Sequence, residues 1–429
     1  MPLYRFYLSF LIIWMVCQPV SGQEQATEAV HHDSICPQRD LKDLLMQVLH
    51  KTPGNKKEKS GSLLLVPIIG SNPAIGFMVG VGGQAAFKMP GCEDYSSFSG
   101  SAQFTTRSQK IFMLKNNVYT RDNRFYLEGD WRYLVYSQST FGLGTSAPEG
   151  GLVDYQYHLF GVATNLDSLA QPMKFNFARF HQSVSFNLYK GLMAGIGYEL
   201  DYYFRIRDEK FSYGPVDTLF TSHFVYNVLY GFDTEKYLSS MLNLHVVYDT
   251  RDNIMNAYEG IFARAAYKVG PKFMGNSITG MALDLEWRSF HSLSRSNPRH
   301  LVAFWLMGNF TREGDFPYMI LPAITYDQRG RNGRGYTQGR FRGPNLVYGE
   351  AEYRFPITSC GGILGGVFFV NAITTDNPVL GIDLFDVIRP GVGTGLRVMI
   401  DKASRMNLAV DVGWGHKSFG FYLNVTETF

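Results

Sequence analysis

Between Asp327 and Ile357 the chain reads DQRGRNGRGYTQGRFRGPNLVYGEAEYRFPI. The first half is a loop in which Arg329, Arg331, Arg334, Arg340 and Arg342 stand among glycines that let the backbone double back. The second half alternates. Tyr348, Glu350, Glu352 and Arg354 share one face of a strand, and Val347, Gly349, Ala351, Tyr353 and Phe355 share the other. A charged face opposite an apolar, aromatic one fits a barrel wall with lipid outside and a polar lumen inside. A cationic loop beside such a wall would fold into the lumen, with Glu350 and Glu352 as counter-charges. A solvated basic loop next to an ordinary surface strand gives the same local pattern, so the rest of the chain has to decide.

Composition moves the balance toward the barrel. The chain carries 26 Tyr, 33 Phe and 44 Gly with only 18% charged residues, the mix a membrane barrel needs for aromatic girdles at both interfaces. A formal charge of +3 gives no support for a nucleic-acid partner, which calls for a strongly basic face. Met1–Gly22 has a cationic start at Arg5, an apolar run from Leu8 to Val16 and a small-residue exit at Val20-Ser21-Gly22. That is a secretory signal peptide, cleaved before Gln23. Cys17 does not mark a lipoprotein, because large residues (Trp14-Met15-Val16) precede it. No later run approaches the ~18 apolar residues of a membrane-spanning helix.

Gln23–Ser62 reads as a periplasmic segment with one short helix over Asp40–Leu49, its Leu41, Leu44, Leu45 and Val48 at helical spacing, followed by the polar linker Thr52–Ser60. From Leu63 to Phe429 the chain is a series of two-faced strands, each long enough to cross a bilayer at a tilt. In Arg405–Gly415, for example, Met406, Leu408, Val410, Val412 and Trp414 alternate with Arg405, Asn407, Ala409, Asp411 and Gly413. The pattern predicts sixteen strands, the first at 77–88, one at 218–231 and the last at 418–428, interrupted at 138–171, 312–344 and 374–390. The fold class is thus an all-β, antiparallel transmembrane β-barrel. In the last strand Phe421, Leu423, Val425 and Phe429 form the aromatic and apolar C-terminal signal that outer-membrane insertion machinery reads; Glu427 departs from it, in a phase that is expected to face lipid.

Three segments together resemble the BamA/TamA superfamily of outer-membrane assembly barrels, the bacterial surface antigen family. Asp249, Arg251, Asp252 and Gly260 resemble its short periplasmic turn. Gly333-Arg334-Gly335-Tyr336 resembles the tip of the loop between its eleventh and twelfth strands. Gly391–Arg397, leading to Met406–Gly413 and Phe429, resembles its closing strands. The resemblance implies that Arg334 folds into the lumen and pairs with Glu352 on the twelfth strand and with a thirteenth-strand residue. Asn371 stands at that last position, where the family commonly carries Asp, leaving Glu350 or Asp376 to supply the missing charge. It also implies a weak seam between the first and last strands, here Phe77–Lys88 and Ser418–Phe429, with Gly76, Gly80, Gly82 and Gly83 thinning the packing of the first. Typical members carry periplasmic POTRA domains, and Gln23–Ser62 is too short for one.

No zinc spacing, phosphate loop or nucleophile elbow is present, so no catalytic, metal or cofactor role is expected. His181, Ser183 and Asp249 are the nearest thing to hydrolytic residues, and His31-His32 to a metal pair. Among the cysteines left after signal removal, Cys92 is expected in an extracellular hairpin, with Cys36 and Cys360 periplasmic and able to bridge. The expected role is assisting insertion or translocation of proteins, or of lipids, at the bacterial outer membrane, in contact with lipid, lipopolysaccharide and client or partner barrels. A passive pore, an outer-membrane hydrolase and a structural barrel of a larger complex remain as alternatives.

Overall fold

The computed structural model describes residues 37–49, 61–72, 76–92, 94–146, 152–153, 158–159, 162–163, 167–168, 171–214, 217–276, 280–327, 330–358 and 362–429. Met1–Gly22 and His31-His32 lie outside these residues, as do Cys36 and Cys360.

Sixteen strands form one sheet in which each pairs antiparallel with its neighbour in sequence. They are β1 (Gly61–Asn72), β2 (Gly76–Phe87), β3 (Ser96–Thr105), β4 (Lys110–Tyr119), β5 (Phe125–Thr140), β6 (Gln171–Tyr189), β7 (Leu192–Asp208), β8 (Tyr237–Asp249), β9 (Gly260–Gly270), β10 (Gly280–Ser292), β11 (Leu301–Glu313), β12 (Asn345–Pro356), β13 (Leu364–Thr375), β14 (Arg389–Asp401), β15 (Met406–Gly415) and β16 (Ser418–Val425). Among the described residues, two α-helices accompany them, α1 (Leu41–Val48) and α2 (Ser222–Leu229).

The burial pattern is that of a membrane protein turned inside out relative to a soluble one. On β8, Leu242, Leu244, Val246 and Tyr248 face outward, while Met241, Asn243, His245 and Val247 are buried. On β12, Leu346, Tyr348, Glu350, Glu352 and Arg354 are buried, as the alternation predicts. On β15, Leu408, Val410, Val412 and Trp414 take the outward phase and Asn407, Ala409, Asp411 and Gly413 the inward one; Met406, expected outward, is buried. Exposed aromatics ring both ends, with Phe77, Phe104, Trp414 and Phe419 at one and Phe186, Tyr189 and Tyr248 at the other.

The four longest connections, 141–170, 209–236, 314–344 and 376–388, all leave from the same end of the strands. Long loops are extracellular and short turns periplasmic in outer-membrane barrels, which places the 88–95, 250–259 and 402–405 turns on the periplasmic side. No helix among the described residues is long and apolar enough to cross a membrane.

The strand count agrees with the sequence reading, but two errors cancel in it. The segment 218–231, expected as a strand for its aromatic and β-branched content, is helical over Ser222–Leu229. Thr221 caps it by accepting from Phe224 N at 3.3 Å, and buried His223 Nδ1 meets Asp208 Oδ2 at 2.7 Å. Tertiary contacts here override strand propensity. Conversely, Gly61–Asn72 is β1, not linker and lead-in. Its run of apolar residues in both phases hides the alternation, and Pro67 argues against a central strand. Only at a sheet end, which β1 is, does Pro fit without breaking a ladder. The strand that would meet β16 at a seam is therefore β1, and Phe77–Lys88 is the second strand.

This shift reverses the sidedness expected for the first third of the barrel. The 88–95 turn is periplasmic, so Cys92 is not extracellular. Its Sγ donates to Thr120 O at 3.0 Å and forms no disulfide.

Candidate functional site at the lumenal loop

The 314–344 connection folds back into the barrel. Its Tyr318, Ile324, Tyr336 and Phe341 are buried among rings of the wall, including Trp305, Tyr348 and Phe429. Arg342 Nη1 donates to Tyr318 O at 3.0 Å and Leu321 O at 3.1 Å, bracing the loop's own base. Wall arginines reach the loop in return: Arg132 Nη2 donates to Asp327 O at 3.0 Å and Arg179 Nη1 to Tyr326 O at 3.3 Å. Arg340 stacks on Phe141 and Phe341. Within the lumen lies a cavity of about 250 Å³, bounded by residues that include Glu128, Asp201, Arg264, Lys268 and Asp284.

The loop tip carries the most concentrated charge in the described structure. Arg334 Nη2 pairs with Glu350 Oε1 at 2.6 Å and with Glu352 Oε1, and Nη1 donates to Asp411 Oδ2 at 2.8 Å. All four side chains are at most 1% exposed. The guanidinium also lies 3.5 Å over the centre of the Phe369 ring. Charges this dry persist only when each is paired and hydrogen-bonded. Tyr348 OH donates to Glu350 at 2.6 Å, Arg354 Nε to Glu352 at 2.7 Å and Arg397 Nη1 to Asp411 at 2.5 Å.

Glycine makes the close approach possible. Gly335 sits at φ +100°, and a Cβ there would lie 2.8 Å from the Trp414 carbonyl carbon. A Cβ on Gly413 would in turn meet the Gly335 nitrogen at 2.8 Å. The tip thus packs backbone against backbone on β15. Tyr336 OH donates to Pro390 O at 2.5 Å and accepts from His416 N at 3.1 Å, pinning it to β14 and to the β15–β16 turn.

The expected partners Glu350, Glu352 and Asn371 all assemble at Arg334, but with a different division of labour. Asn371 Nδ2 donates to the Arg334 carbonyl at 2.9 Å and leaves the guanidinium alone. Glu350, one of the two residues expected to make up for the charge missing at position 371, does pair with Arg334, and Asp411 on β15 adds a carboxylate that was not expected. Asp376 does not compensate; it accepts from Asn345 N at 2.9 Å. The signal was in the sequence, since Asp411 occupies the inward phase of its strand.

The C-terminal signal divides. Phe421 and Leu423 face lipid and Val425 is half-buried. Thr426 then adopts φ +74°, and Thr426–Phe429 turn into the lumen, all buried. Glu427, expected in an outward phase, accepts from Arg397 Nε at 2.5 Å and Asn407 Nδ2 at 2.6 Å. Phe429 packs on Trp305 and Phe290, and its main-chain oxygen accepts from Arg354 Nη2 at 3.1 Å. It is therefore no lipid-facing aromatic. From the loop, Arg331 Nη2 donates to Val425 O at 3.0 Å and Nη1 to Glu427 O. Loop tip and tail form one network of Arg331, Arg334, Arg354 and Arg397 against Glu350, Glu352, Asp411 and Glu427.

The turn after β8 forms the periplasmic floor. Arg251 grips Asp249 with two donors at 2.9 and 2.6 Å and stacks on Phe262. Asp252 Oδ1 accepts from Tyr258 N at 2.9 Å, and Oδ2 from Arg405 of the β14–β15 turn at 2.5 Å. Gly260 has φ +105°, where a Cβ would lie 2.3 Å from Thr250 O. Met255, Ala257 and Tyr258 are buried beneath the lumen.

The sequence pattern of the Omp85 superfamily domain matches residues 178–429. The chain belongs to the Omp85 superfamily. The match takes in every element of the loop-tip network and of the floor. Among solved structures, BamA from Haemophilus ducreyi lacking POTRA domains 1–3 is similar at 12% identity and a TM-score of 0.49, over 86% of this chain and 70% of that one. CdiB from Acinetobacter baumannii is similar at 13% identity and a TM-score of 0.47, over 86% of this chain and 60% of that one. No curated protein sequence matches. With its sixteen-stranded sheet, this Omp85 chain is a bacterial outer-membrane barrel.

The residues weighed as hydrolytic do not meet in the Omp85 barrel. His181 Nε2 contacts Asp201 at 3.1 Å, Ser183 Oγ donates to Glu128 O at 3.4 Å, and Asp249 is held by Arg251. A different series, Ser185 Oγ to His245 Nε2 and His245 Nδ1 to Asn243 Oδ1, has 2.8 Å spacings at both steps. Its order is that of a nucleophile, a base and an orienting amide, but Ser185 is buried in the wall, closed to an acyl carbon.

Proposed function

We propose that this Omp85 barrel assists the insertion or translocation of proteins at the bacterial outer membrane. The observation that carries the reading is the shared network of loop tip and tail. The loop that fills the lumen and the residues that follow the last strand are held by the same arginines and carboxylates. Displacing one loosens the other. β16 has eight residues and β1 has twelve, so inward turning of Thr426–Phe429 shortens the last strand at the periplasmic end. A strand edge of this kind offers backbone donors and acceptors to an incoming strand. A lumen packed with rings and ion pairs fits this role better than that of a passive pore, which calls for an open, hydrated path. Outer-membrane lipid and lipopolysaccharide surround the barrel in this reading, and client or partner barrels meet it at the seam.

The test is quantitative proteomics of the outer membrane after depletion, with rescue by wild type or by Arg334→Ala. The expected result is loss of a defined set of barrels or surface proteins, restored by wild type alone. An unchanged outer-membrane proteome on depletion overturns the proposal. Steady single-channel conductance from the reconstituted wild type points to the pore instead.

A further inference from the structure

Near its extracellular end β7 breaks step. Along the strand Ile196, Tyr198, Leu200, Tyr202 and Phe204 take the outward phase, and Glu199, Asp201 and Tyr203 the inward one. Strict alternation would then turn Arg205 and Arg207 into the lumen and Ile206 out toward lipid. The register prevents this. Asn176 of β6 pairs with Phe204 and Lys174 with Arg207, so Phe175 alone stands opposite Arg205 and Ile206. Arg205 takes up the extra residue at φ +55°, a left-handed conformation uncommon for a residue with a side chain. The bulge resets the phase. Ile206 joins the buried cluster that holds Phe175 and Tyr203, whereas Arg205 and Arg207 are both exposed.

The level of these arginines follows from the strand below them. A tilted strand crosses the hydrocarbon in about 9–11 residues, and Leu192–Tyr202 already supplies that length. Tyr189, paired with Leu192, marks the periplasmic girdle, and Tyr202 stacks on Phe204 at 4.8 Å at the other end. The two guanidinium groups therefore stand just past the outer girdle, among the headgroups of the outer leaflet. Neighbouring strands add two lysines. Lys174 lies opposite Arg207 on β6 and pairs with Glu209. Ile206 N donates to Glu235 O at 2.9 Å, which sets exposed Lys236 beside the bulge, in the phase opposite to buried Tyr237. Of the acids nearby, Glu235 is exposed and Asp233 Oδ1 accepts from the Glu235 and Lys236 amides at 2.7 and 3.2 Å. Among the described residues Arg205 and Arg207 have no ion pair and no side-chain hydrogen bond.

We propose that Arg205 and Arg207 hold a phosphate of lipopolysaccharide in the outer leaflet, with its acyl chains lying on Tyr202 and Phe204 beneath. Two guanidinium groups side by side repel each other unless an anion lies between them, and a phosphate matches their planar forks with two parallel hydrogen bonds each. The aromatic pair directly below supplies the apolar surface that a lipid phosphate brings with it and a free phosphate does not. The extracellular end of the strand selects the glycolipid of the outer leaflet over the phospholipid of the inner one. The site rests on the crossing of the outer membrane by the barrel and not on the proposed role in assembly.

The test uses the full chain refolded in detergent, read by native mass spectrometry. The probes are deep-rough lipopolysaccharide, the same glycolipid stripped of its phosphates, and phosphatidylglycerol, with inorganic phosphate as competitor. Wild type is expected to retain one phosphorylated glycolipid, severalfold more than either other lipid. Arg205→Gln with Arg207→Gln should lose most of that retention. Arg312→Gln with Lys417→Gln, which removes two exposed charges at the same end of the barrel, should keep it. Arg205→Gly suits the left-handed backbone and so spares the fold; it should weaken retention with Arg207 still in place. Heat-modifiable migration checks the folding of each variant. Equal retention by wild type and the Arg205, Arg207 pair of Gln variants overturns the proposal, as does an equal loss in the control pair. Undiminished retention of the dephosphorylated glycolipid means contact with acyl chains only and overturns it too. Phosphatidylglycerol held as well as the glycolipid, or displacement by inorganic phosphate, means a general anion site and overturns the assignment to lipopolysaccharide.

Discussion

Arg334 and Asp411 stand 77 positions apart, yet the guanidinium Nη1 donates to the carboxylate Oδ2 at 2.8 Å inside the barrel. The bond joins the tip of the lumenal loop to the penultimate strand. Asp411 also accepts from Arg397 Nη1 at 2.5 Å, and Arg397 holds Glu427 in the tail. The carboxylate is thus the link through which the loop is coupled to the end of the chain.

Removing the central cation leaves Glu350, Glu352 and Asp411 crowded and buried. Arg334→Ala is expected to destabilise the folded barrel by about 3–5 kcal/mol, the usual cost of breaking a buried ion pair from one side. Arg334→Lys keeps the charge but lacks the planar set of donors, so it falls between Ala and wild type. Urea unfolding in lipid vesicles, followed by heat-modifiable migration, reads both. An Ala variant as stable as wild type removes the network from any account of the fold.

The position of the third carboxylate is testable by moving it. Asn371→Asp loses the donor to the Arg334 carbonyl and sets a fifth carboxylate beside Glu350, costing about 1–3 kcal/mol. Asp411→Asn leaves Arg334 and Arg397 short of a counter-charge and costs at least as much. The double variant restores the charge count at the site, so its loss is expected to be smaller than the sum of the two. Simple additivity shows that the two positions do not share one network.

Backbone contact between the loop tip and β15 predicts a steric effect. Gly335→Ala adds a Cβ at φ +100° and 2.8 Å from the Trp414 carbonyl carbon. The expected cost exceeds about 1 kcal/mol, whereas an unstrained Gly→Ala change stabilises by about 0.4–1 kcal/mol. Loss of tip docking should expose the loop to externally added trypsin, with cleavage at Arg331 or Arg334 on intact cells.

Docking of α1 on the β14–β15 turn predicts a defined pH window. Partial burial pushes the Asp43 carboxyl up, but the hydrogen bond and charge of Lys402 and the Asp40 N–H pull it further, so its pKa ends below the usual range. The hydrogen bond to Asp43 raises the Lys402 pKa above its ordinary value. A depressed acid contributes docking stability above its unfolded pKa, which is lost as pH falls through the folded one. A raised base contributes below its unfolded pKa, and that is lost as pH rises through the folded one. Protection of residues 41–48 against hydrogen exchange, corrected for the intrinsic pH dependence of amide exchange, should thus be flat through neutral pH and fall at both extremes. High salt should lower it at neutral pH, because the pair is largely exposed.

Sidedness separates the observed strand order from the one expected. In a chain whose other cysteines are Ser, Cys92 should react with a membrane-impermeant maleimide only after the outer membrane is permeabilised. Phe273→Cys, 86% exposed on the loop end of the barrel, should react on intact cells. Labelling of Cys92 on intact cells overturns the assignment of β1.

Much of the architecture was written in local pattern. Alternation of period 2 fixes which side chains of β12 and β15 face lipid, because successive residues of a strand must point to opposite sides. The spacing of Leu41, Leu44, Leu45 and Val48 marks α1 in the same way, because residues three and four apart share one face of a helix. A register-independent signal of this kind survives without knowledge of the fold. It failed where the local pattern was ambiguous. Leu63–Ile69 is apolar in both phases and holds a proline, so only its place at the end of the sheet makes it a strand. Ser222–Leu229 has strand-forming residues, and only the buried contacts of His223 make it a helix.

From the sequence alone, the strand's phase assigned Glu350 and Glu352 to the inner face, and the resemblance of Gly333–Tyr336 to the family's loop tip implied that Arg334 would fold in to meet them. The tertiary structure alone decided the rest. Asp411 joins Glu350 and Glu352 at the guanidinium, Glu427 and Phe429 turn inward instead of facing lipid, and Arg331 holds the end of β16. Each of these depends on which distant strands close around the loop tip. Desolvation makes an unpaired charge there too costly to keep, so a partner is supplied from whichever strand lies in reach.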